Sequence, residues 1–311
     1  MTTTTHDGYR HEALLYRDDA DYLAGTVPFL VDALALGQPA MVAAPRHRID
    51  LVRSALPADA VDALHYVDME QVGHNPARII PAWRAYLDRF PGQAVRGIGE
   101  PVWAGRRQAE IDECHLHDTL LNVAVSPETP FWLICPYDVQ ALGEPVALAA
   151  QRSHPTYVER GQLLGSPVYA GLIELQDVFG GPLEPPSPPV RELAFGGHDL
   201  ARVRAAVREH AATLGLAAAR ADDVVLALTE LATNSLRHGG GHGLLRTWAE
   251  PDAFVCEVSD TGRIADLLVG RRAPQPSDEG GRGVWMANQL CDLVQVRSGD
   301  AGTVVRTYAW L

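Results

Sequence analysis

Cysteine is scarce in this sequence, and its spacing excludes the common cysteine-based metal motifs. The four cysteines are Cys114, Cys135, Cys256 and Cys291, which are far apart and lie in apolar runs without any CxxC pair. Cysteines of this kind are typical of small buried side chains in a reducing compartment. We therefore predict no structural zinc.

Long hydrophobic runs and an excess of positive charge are absent as well. The N-terminal residues MTTTTHDGYRHEALLY have neither the basic start nor the apolar stretch of a secretory signal, and no uncharged apolar run reaches the ~18 residues of a membrane helix. Basic residues number 26 against 39 acidic ones, a formal charge of -13, so the chain repels phosphate backbones and anionic lipids. We predict a cytoplasmic protein with no direct nucleic-acid or membrane partner.

The composition is that of a water-soluble globular protein with more than one core. Apolar residues make up 47% of the 311 residues and charged residues 21%, with a mean hydropathy of -0.06, and this length favours two domains. The strongest break in composition is FGGPLEPPSPP at residues 179–189, which is typical of an extended linker. We predict a first domain at residues 1–175, a linker at 176–189 and a second domain at 190–311.

The first half alternates short apolar runs with helical patterns. Strands are predicted at residues 40–44, 64–67, 94–98 and 131–135, and helices at residues 21–34, 49–56, 76–90 and 111–123. This alternation is typical of an α/β domain with a doubly wound, mostly parallel sheet.

The second half has a different order of elements. Strands are predicted at residues 190–195, 244–249, 254–260 and 303–310, with residues 294–297 pairing back across a glycine turn, and helices at residues 199–214 and 222–238. Helices on one face of a mixed sheet would give an α/β sandwich.

The predicted helix at residues 222–238 has an apolar stripe at helical spacing and a separate polar stripe. Glu230, Asn234 and His238 follow one another at intervals of four residues and so lie along one side of the helix, with Arg237 beside them. An amide oxygen suits Mg²⁺, which takes few protein ligands, and a carboxylate one turn away can orient or deprotonate a nucleophile. A solvated polar face is the alternative interpretation.

The strand FVCEVSD ends in Asp260, which is followed by Thr261 and Gly262. Alternation buries one side of this strand, so Asp260 emerges at its carboxyl end, where ligands bind in layered folds. A carboxylate there suits an exocyclic amine such as adenine N6, because the amine donates a hydrogen bond to it. An ordinary turn explains the same residues equally simply.

A glycine-rich segment, GGRG at residues 280–283, directly precedes another predicted helix. Glycines let the backbone approach a phosphate, and the N–H groups of a helix start favour an anion, so Gly281, Arg282 and Gly283 are candidate phosphate-binding residues. The polar segment RRAPQPSDE before them is a candidate lid, and Thr303 at the start of the last strand is a candidate ligand contact. A simple turn before a helix is the alternative.

Four segments, ELATNSLRHG, SDTG, GGRGVWMANQLCD and GTVVRTY, occur in this order over about 80 residues. Their order and spacing resemble the N, G1 and G2 boxes and the closing threonine of GHKL-type ATPase domains and, within that superfamily, the anti-sigma-factor serine kinases. The resemblance covers the second half and implies bound ATP and Mg²⁺.

The resemblance also implies roles for the matching residues. These are Glu230 as general base, Asn234 as Mg²⁺ ligand, Asp260 and Gly262 at the adenine, Gly281 and Gly283 in the lid, and Thr303 near the adenine. Two positions depart from the family pattern: Ile264 stands where G1 often has a second glycine, and Glu279 stands where many anti-sigma kinases have an arginine for the γ-phosphate. Arg237 and Arg282 are the candidates to replace that arginine.

Histidine kinases share the ATP-binding fold but need a helical hairpin with a phospho-accepting histidine just upstream. The proline-rich linker cannot form such a hairpin. His210 lies inside the predicted ATPase domain, where we expect a packed histidine. Histidine autophosphorylation is therefore not expected.

The first half has the run LALGQPAMVAAP where a P-loop would stand, but no Gly-Lys-Ser/Thr. The segments HEALLYRDDADYLAGTVPFL, NPARIIPAW, GEPVWAGR, HDTLLN and CPYD together resemble the MEDS-type sensory domain over nearly all of this half. The resemblance implies a RecA-like fold without nucleotide chemistry that senses an unidentified small molecule.

Aromatic walls with one carboxylate are typical of small-molecule sites, and Trp83, Glu100, Trp103 and Tyr137 are the candidate lining of a sensory pocket. The alternative is that the tryptophans belong to the core. Glu113 and His117 have the i, i+4 spacing of metal ligands, but no third ligand has a compatible spacing, so we expect a partly solvated helix there.

These features together predict a signalling regulator in which a sensory domain controls an ATP-binding, anti-sigma-factor-like serine/threonine kinase domain. The partner would be an anti-sigma factor antagonist or a sigma factor, and the resemblance makes a homodimer the expected assembly. The alternative is a non-catalytic ATP-binding module that sequesters a sigma factor or another partner.

Overall fold

The computed structural model describes residues 8–186, 189–274 and 281–311. The chain divides into two units, residues 1–174 and 175–311. The division falls inside a helix that ends at Gly180. The first residues of the predicted 176–189 linker are therefore helical, and the proline-rich stretch begins after them.

Seven strands form the sheet of the first unit: β1 (Arg10–Tyr16), β2 (Ala40–Ala44), β3 (His65–Asp68), β4 (Val95–Gly99), β5 (Phe131–Asp138), β6 (Thr156–Glu159) and β7 (Gln162–Gly165). Their order is β3-β2-β4-β5-β1-β6-β7. All neighbouring strands are parallel except β6 and β7, which form an antiparallel hairpin at one edge. The predicted mostly parallel sheet is confirmed.

Among the described residues of this unit the α-helices are α1 (Asp19–Ala35), α2 (Arg46–Ala55), α3 (Ala58–Ala63), α4 (Met69–Val72), α5 (Ile79–Leu87), α6 (Gln108–Ala124), α7 (Val139–Leu142) and α8 (Glu144–Ser153). Strand alternation decides which helix each side chain meets. Ile98 and Ile134 pack in the core with residues of α1 and α2, whereas the neighbouring positions Gly97 and Gly99 face Trp83 of α5. Helices therefore cover both faces, as in a doubly wound fold.

The hydrophobic pattern does not predict strand β1, because its first three residues, Arg10, His11 and Glu12, are polar and only a short apolar run follows them. In the structure β1 lies between β5 and β6, and His11 and Glu12 are only 4% and 3% exposed. Glu12 is paired with Arg10 and accepts a hydrogen bond from Trp132 Nε1 at 3.1 Å. These partners allow charged groups in the middle of the sheet.

Helix α6 is more deeply buried than the sequence predicts. Glu113 and His117 are each 1% exposed, where we expected a partly solvated helix. The reason is that α6 packs against α5 and α8 within the first unit and also contacts the sheet, since Tyr137 of β5 donates a hydrogen bond to Asp118 of α6.

The described residues of the second unit form one five-stranded sheet of β8 (Arg191–Gly196), β9 (His242–Glu250), β10 (Ala253–Asp260), β11 (Leu293–Gly299) and β12 (Gly302–Trp310), in the order β11-β12-β10-β9-β8. The expected mixed sheet is instead antiparallel at each of these pairings. Hairpins join β9 to β10 and β11 to β12, and a two-helix connection from β8 to β9 also reverses the chain direction.

Helix α9 (Leu172–Gly180) spans the division between the units, and α10 (Leu200–Thr213), α11 (Ala218–His238) and α12 (Arg282–Leu290) lie in the second unit. Val224, Leu228 and Leu231 of α11 are at most 2% exposed in a core shared with α10, α12 and the sheet. The predicted apolar stripe of this helix is therefore its buried face. No helix among the described residues has the length and apolar character that crossing a membrane requires.

Candidate functional site

The polar stripe of helix α11 meets the start of α12 at Asn234. Glu230 and Asn234 are half-buried, whereas Arg237 and His238 in the last turn are exposed. A Cβ atom on Gly283 of α12 would lie 2.5 Å from Asn234 Nδ2. The absence of a side chain at position 283 therefore lets α12 begin directly against Asn234.

Asp260 at the end of β10 is tied to α11 and to its own turn. Its Oδ2 accepts a hydrogen bond from Ser235 Oγ at 2.5 Å, and its Oδ1 accepts one from the Gly262 N–H at 2.8 Å. Gly239 packs directly on this carboxyl group, since a Cβ atom there would lie 2.3 Å from Asp260 Cγ. Each carboxylate oxygen has two lone pairs, so the half-buried group can still accept a hydrogen bond from a ligand.

At Gly262 the turn after β10 comes close to the backbone at the end of α11. A Cβ atom on Gly262 would lie 2.6 Å from the carbonyl oxygen of His238 and 2.9 Å from Gly239 Cα. The space left by the missing side chain is thus filled by the end of α11, which lets the turn after β10 pack against that helix.

A cavity of about 300 Å³ opens between α11, the end of β10, the start of α12 and β12. Its polar lining residues include Asn234, Ser235, His238, Asp260 and Thr303, and its apolar ones are Leu231, Val258, Ile264, Val269, Val284 and Val305. An apolar cleft with a few polar groups at fixed positions is typical of a small-molecule site.

Thr303 holds the loop that follows β10. Its Oγ1 donates a hydrogen bond to the Gly262 carbonyl oxygen at 2.9 Å and lies 2.8 Å from Ser298 Oγ. Ser298 Oγ in turn accepts a hydrogen bond from the Ile264 N–H at 2.8 Å. The loop is therefore fixed against β11 and β12, and the Ile264 side chain lines the cavity where the family pattern often has a glycine.

Helix α12 begins beside the cavity. Its N-cap residue, Gly281, has a φ of 82°, in the left-handed region that favours glycine. Arg282 is exposed in the first turn. N–H groups at a helix start lack intrahelical partners and attract anions. Because the chain contains no lysine, side-chain cations for a phosphate would have to be arginine or histidine.

The predicted lid lies partly outside the described residues, since Glu279 and Gly280 fall in the gap at 275–280. The segment before the gap is anchored at two points. Arg272 pairs with Asp266 at 2.8 Å, and Asn288 of α12 donates a hydrogen bond to the Gly270 carbonyl oxygen at 3.1 Å. The interpretation of Glu279 stays a prediction.

The structure brings together most of the candidate residues of the second half. Those that line the cavity are Asn234, His238, Asp260, Gly262, Gly281 and Thr303. Gly283 contacts Asn234. In the part of the chain that the structure describes, the lining does not include Glu230, Arg237 or Arg282.

Two hydroxyl groups of the site, those of Ser235 and Ser298, were not among the predicted residues. Ser235 comes four residues after Leu231 and continues the buried stripe of α11, where it is 1% exposed. The position of Ser235 on the apolar stripe was the signal in the sequence for a site residue, because a buried polar group needs a hydrogen-bond partner. Ser298 offers no such signal, since the Ile264 N–H from which it accepts a hydrogen bond lies in a loop distant in sequence.

The four residues predicted to line a sensory pocket have separate sets of neighbours. Trp83 is 2% exposed and packs against Gly97 and Phe131, as a core residue. Trp103 is half-buried, with the Arg106 guanidinium 3.6 Å from its ring centre. The Tyr137 hydroxyl donates a hydrogen bond to Asp118, and Glu100 contacts Tyr16. Trp83 on α5 and Tyr137 on β5 are therefore packed core residues, and a pocket shared by these four side chains stays a prediction.

Glu100 belongs to a polar cluster at the carboxyl ends of the parallel strands. Its Oε1 accepts a hydrogen bond from Tyr16 at 2.7 Å, and Arg48 Nε lies 3.8 Å from the same oxygen. The Arg48 guanidinium also lies 3.5 Å from Asp138 and covers the rings of Tyr16 and Tyr22 at 4.9 and 5.0 Å. Burial raises the pKa of Glu100 to about 7, although the Tyr16 hydrogen bond and Arg48 oppose this shift.

Two family models match this chain, one within each of its two units. Residues 10–155 match the family model described as MEDS, the methanogen/methylotroph DcmR sensory domain, and residues 197–308 match the model described as the histidine kinase-like ATPase domain. No curated protein matches the sequence.

Among solved structures, the crystal structure of the RsbU and RsbW domains of Rv1364c from Mycobacterium tuberculosis is similar at 20% identity with a TM-score of 0.30. The match covers 39% of this chain and 32% of that chain, so this chain spans about a third of its length. The family matches therefore identify two domains: the chain joins a MEDS sensory domain at residues 10–155 to a histidine kinase-like ATPase domain at residues 197–308.

Proposed function

We propose that this chain is a cytoplasmic signalling regulator in which a small molecule bound by the MEDS domain controls an ATP-dependent serine/threonine kinase in the C-terminal domain. The observation that carries the proposal is the cavity onto which Asn234 of α11 and Asp260 of β10 both open. An amide and a carboxylate on one apolar cleft match the two ends of a nucleotide.

The residues of the cavity fit ATP with Mg²⁺. Asp260 would accept a hydrogen bond from the adenine amine, while Leu231 and Val305 are among the apolar residues that would enclose the ring. Asn234 would hold Mg²⁺. The first turn of α12 lies beside it and would face the phosphates. When bound, Mg²⁺ supplies neutralisation of the phosphate charge.

Glu230 is the proposed general base. It is half-buried one helical turn before Asn234, on the same side of α11. A carboxylate one turn from the proposed Mg²⁺ ligand would accept the proton of a serine hydroxyl as the serine oxygen bonds to the γ-phosphorus and ADP leaves. Positioning of the two reactants supplies most of the remaining acceleration in phosphoryl transfer.

The resemblance to anti-sigma-factor kinases supports a partner of one of two kinds. An anti-sigma factor antagonist would be the phosphate acceptor, and a sigma factor would be the protein held by the domain. The formal charge of -13 argues against direct contact with nucleic acid. The proposed assembly is a homodimer.

The cluster around Arg48 and Glu100 is the proposed region for the small-molecule ligand. It lies at the carboxyl ends of the strands, which is the edge where layered α/β folds bind ligands. The cluster offers a cation, a carboxyl group and two tyrosine rings, a set that suits a small polar ligand.

A non-catalytic module is the second candidate function. Ile264 lines the cavity where the G1 pattern that this segment resembles often has a second glycine, and this bulk favours a domain that binds ATP and sequesters a partner without transferring phosphate. In such a module, loss of Glu230 would leave partner binding intact.

A phosphate-transfer assay separates the two candidates. The full-length chain is incubated with γ-labelled ATP, Mg²⁺ and candidate antagonist proteins, and ATP affinity is measured in parallel by calorimetry. We expect label on a serine of the partner, loss of label with retained ATP binding in Glu230→Gln, and loss of both in Asp260→Asn. Retained ATP binding without any transfer in the wild type would favour the sequestering module, and absence of ATP binding in the wild type would overturn both.

A further inference from the structure

A compact cluster of potential metal ligands lies in the core of the first unit, outside the proposed nucleotide cavity. It consists of His11 on β1, Cys135 on β5, Asp118 on α6 and His154 directly after α8. One ligand atom from each residue lies within 4.8 Å of those of the others. All four side chains are at most 4% exposed. The cluster is thus assembled from four separate elements.

The hydrogen bonds of His11 direct one of its ring nitrogens into the cluster. Asn122 Nδ2 donates to the Ser153 carbonyl oxygen at 2.8 Å, which fixes the amide so that Asn122 Oδ1 faces His11 Nδ1 at 3.0 Å. Because Oδ1 can only accept, His11 Nδ1 carries the proton and Nε2 has the lone pair. That Nε2 lies 3.3 Å from Cys135 Sγ.

His154 is oriented in the same way. Its Nδ1 lies 2.7 Å from the Ala150 carbonyl oxygen, which can only accept, so Nδ1 carries the proton and Nε2 is the lone-pair nitrogen. Within the described part of the chain, His154 Nε2 is buried without a hydrogen-bond partner, and the same holds for Asp118 Oδ1. Unpaired buried polar atoms are costly, so two of them in one cluster indicate a missing partner.

We propose that His11, Asp118, Cys135 and His154 form a metal site in the MEDS domain, with Zn²⁺ as the ion that fits best. Two imidazoles, a thiolate and a carboxylate are typical zinc ligands, and a histidine ligand usually donates its other N–H to an oxygen, as both histidines do here. A tetrahedral zinc ion separates its nitrogen and sulfur ligands by about 3.5 Å, close to the 3.3 Å between His11 Nε2 and Cys135 Sγ.

Charge balance supports the same ion. A thiolate and a carboxylate together carry two negative charges, which a divalent cation cancels, so the loaded site adds no net charge to a core with little access to solvent. Four protein ligands complete the coordination of Zn²⁺, which is typical of a structural site rather than a catalytic one. The proposal departs from the prediction of no structural zinc, which rested on cysteine spacing and not on ligands that converge from separate elements. Metal binding would therefore stabilise the MEDS domain, independently of the proposed ATP chemistry.

The first test is metal content and spectroscopy of the full-length chain without an affinity tag. We expect close to one zinc per chain after purification in buffer containing zinc. After removal of zinc by a chelator, Co²⁺ should give the near-ultraviolet thiolate band and the intense visible bands of a tetrahedral site. A wild-type chain that takes up neither metal at stoichiometric concentrations would overturn the proposal.

Matched cysteine variants locate the site. Cys114 is also fully buried and lies on α6, but its Sγ donates to the Pro101 carbonyl oxygen. Cys135→Ser should lose the thiolate band and bind zinc at least tenfold more weakly, whereas Cys114→Ser should keep both properties. An unchanged thiolate band in Cys135→Ser would place the metal elsewhere and overturn the assignment.

His154→Gln is the second variant, for the case in which Cys135→Ser does not fold. We expect it to lower zinc affinity at least tenfold. If neither variant folds, the wild-type cobalt spectrum and the effect of zinc on thermal unfolding test the proposed site instead. A tetrahedral thiolate spectrum with a rise of several degrees in the unfolding midpoint supports the site, and the absence of both contradicts it.

Discussion

Ser235 donates a 2.5 Å hydrogen bond to Asp260, and this contact joins the buried face of α11 to the end of β10. The serine lies next in sequence to Asn234, so adjacent residues of one helix hold the Asp260 carboxyl group and place an amide at the same cavity. The positions of the two proposed nucleotide contacts are therefore coupled through the packing of α11 on β10.

Ser235→Ala tests this arrangement. Removal of a buried donor to a charged acceptor should lower the free energy of unfolding by about 1 to 3 kcal/mol and weaken ATP binding severalfold, because Asp260 loses its fixed orientation. Thermal unfolding and calorimetry measure the two effects. Thr233→Ala is the control, since that hydroxyl donates to the Thr229 carbonyl oxygen on the same helix. Equal ATP affinities in both variants would contradict the role of Ser235.

Gly262→Ala tests the close approach between β10 and α11. The added Cβ atom would lie 2.6 Å from the His238 carbonyl oxygen, so the turn must shift, and we expect lower thermal stability together with loss of ATP binding. Gly197→Ala is the matched control, because a Cβ atom there meets nothing within 4 Å. A Gly262→Ala chain with wild-type stability would show that this backbone contact is not required.

Gly97→Ala tests the assignment of Trp83 to the core. The new methyl group would lie 2.7 Å from Trp83 Cη2 and 3.0 Å from Phe131 Cε2, and overpacking of this kind costs about 1 to 3 kcal/mol. Denaturant unfolding of the full chain measures the loss. Gly165→Ala has no atom within 4 Å of the added Cβ and should lose far less. A stable Gly97→Ala variant would indicate that Trp83 can move, as a pocket residue would.

Glu100 makes the stability of the MEDS domain depend on pH. Burial raises its pKa from 4.5 to about 7 in the folded state, so the folded state binds more protons than the unfolded state between these values. The contribution of Glu100 to the free energy of unfolding is therefore fully present below about pH 4.5. It decreases as pH rises towards 7, by on the order of 3 kcal/mol.

Glu100→Gln should remove that part of the pH dependence. Unfolding free energies of the variant and the wild type, measured from pH 4.5 to 8, should diverge in slope, with the variant the flatter of the two. Glu144→Gln, at an exposed position in α8, should follow the wild-type profile. Parallel curves for Glu100→Gln and the wild type would contradict the shift.

Much of the second domain could be predicted because its signals are local. The apolar repeat of α11 identifies Val224, Leu228 and Leu231 as buried, and the alternation in β10 brings Asp260 to the strand end. In the first domain the same reasoning misses β1, since three polar residues begin it and their partners lie far away in the sequence. Trp83 shows a further limit, because an aromatic residue on a helix has the same pattern whether it lines a pocket or fills a core.

The sequence by itself determined the division into two α/β domains, the helix periods, and the order of the motifs that resemble an ATPase. These depend on short-range spacing along the chain, which the periods of helix and strand translate directly into faces. Only the tertiary structure decided that Ser235 meets Asp260, that Glu100 meets Arg48, and that His11, Asp118, Cys135 and His154 converge. Each of these contacts joins residues from separate elements, and their distance depends on how helices pack on the sheet, which no local period encodes.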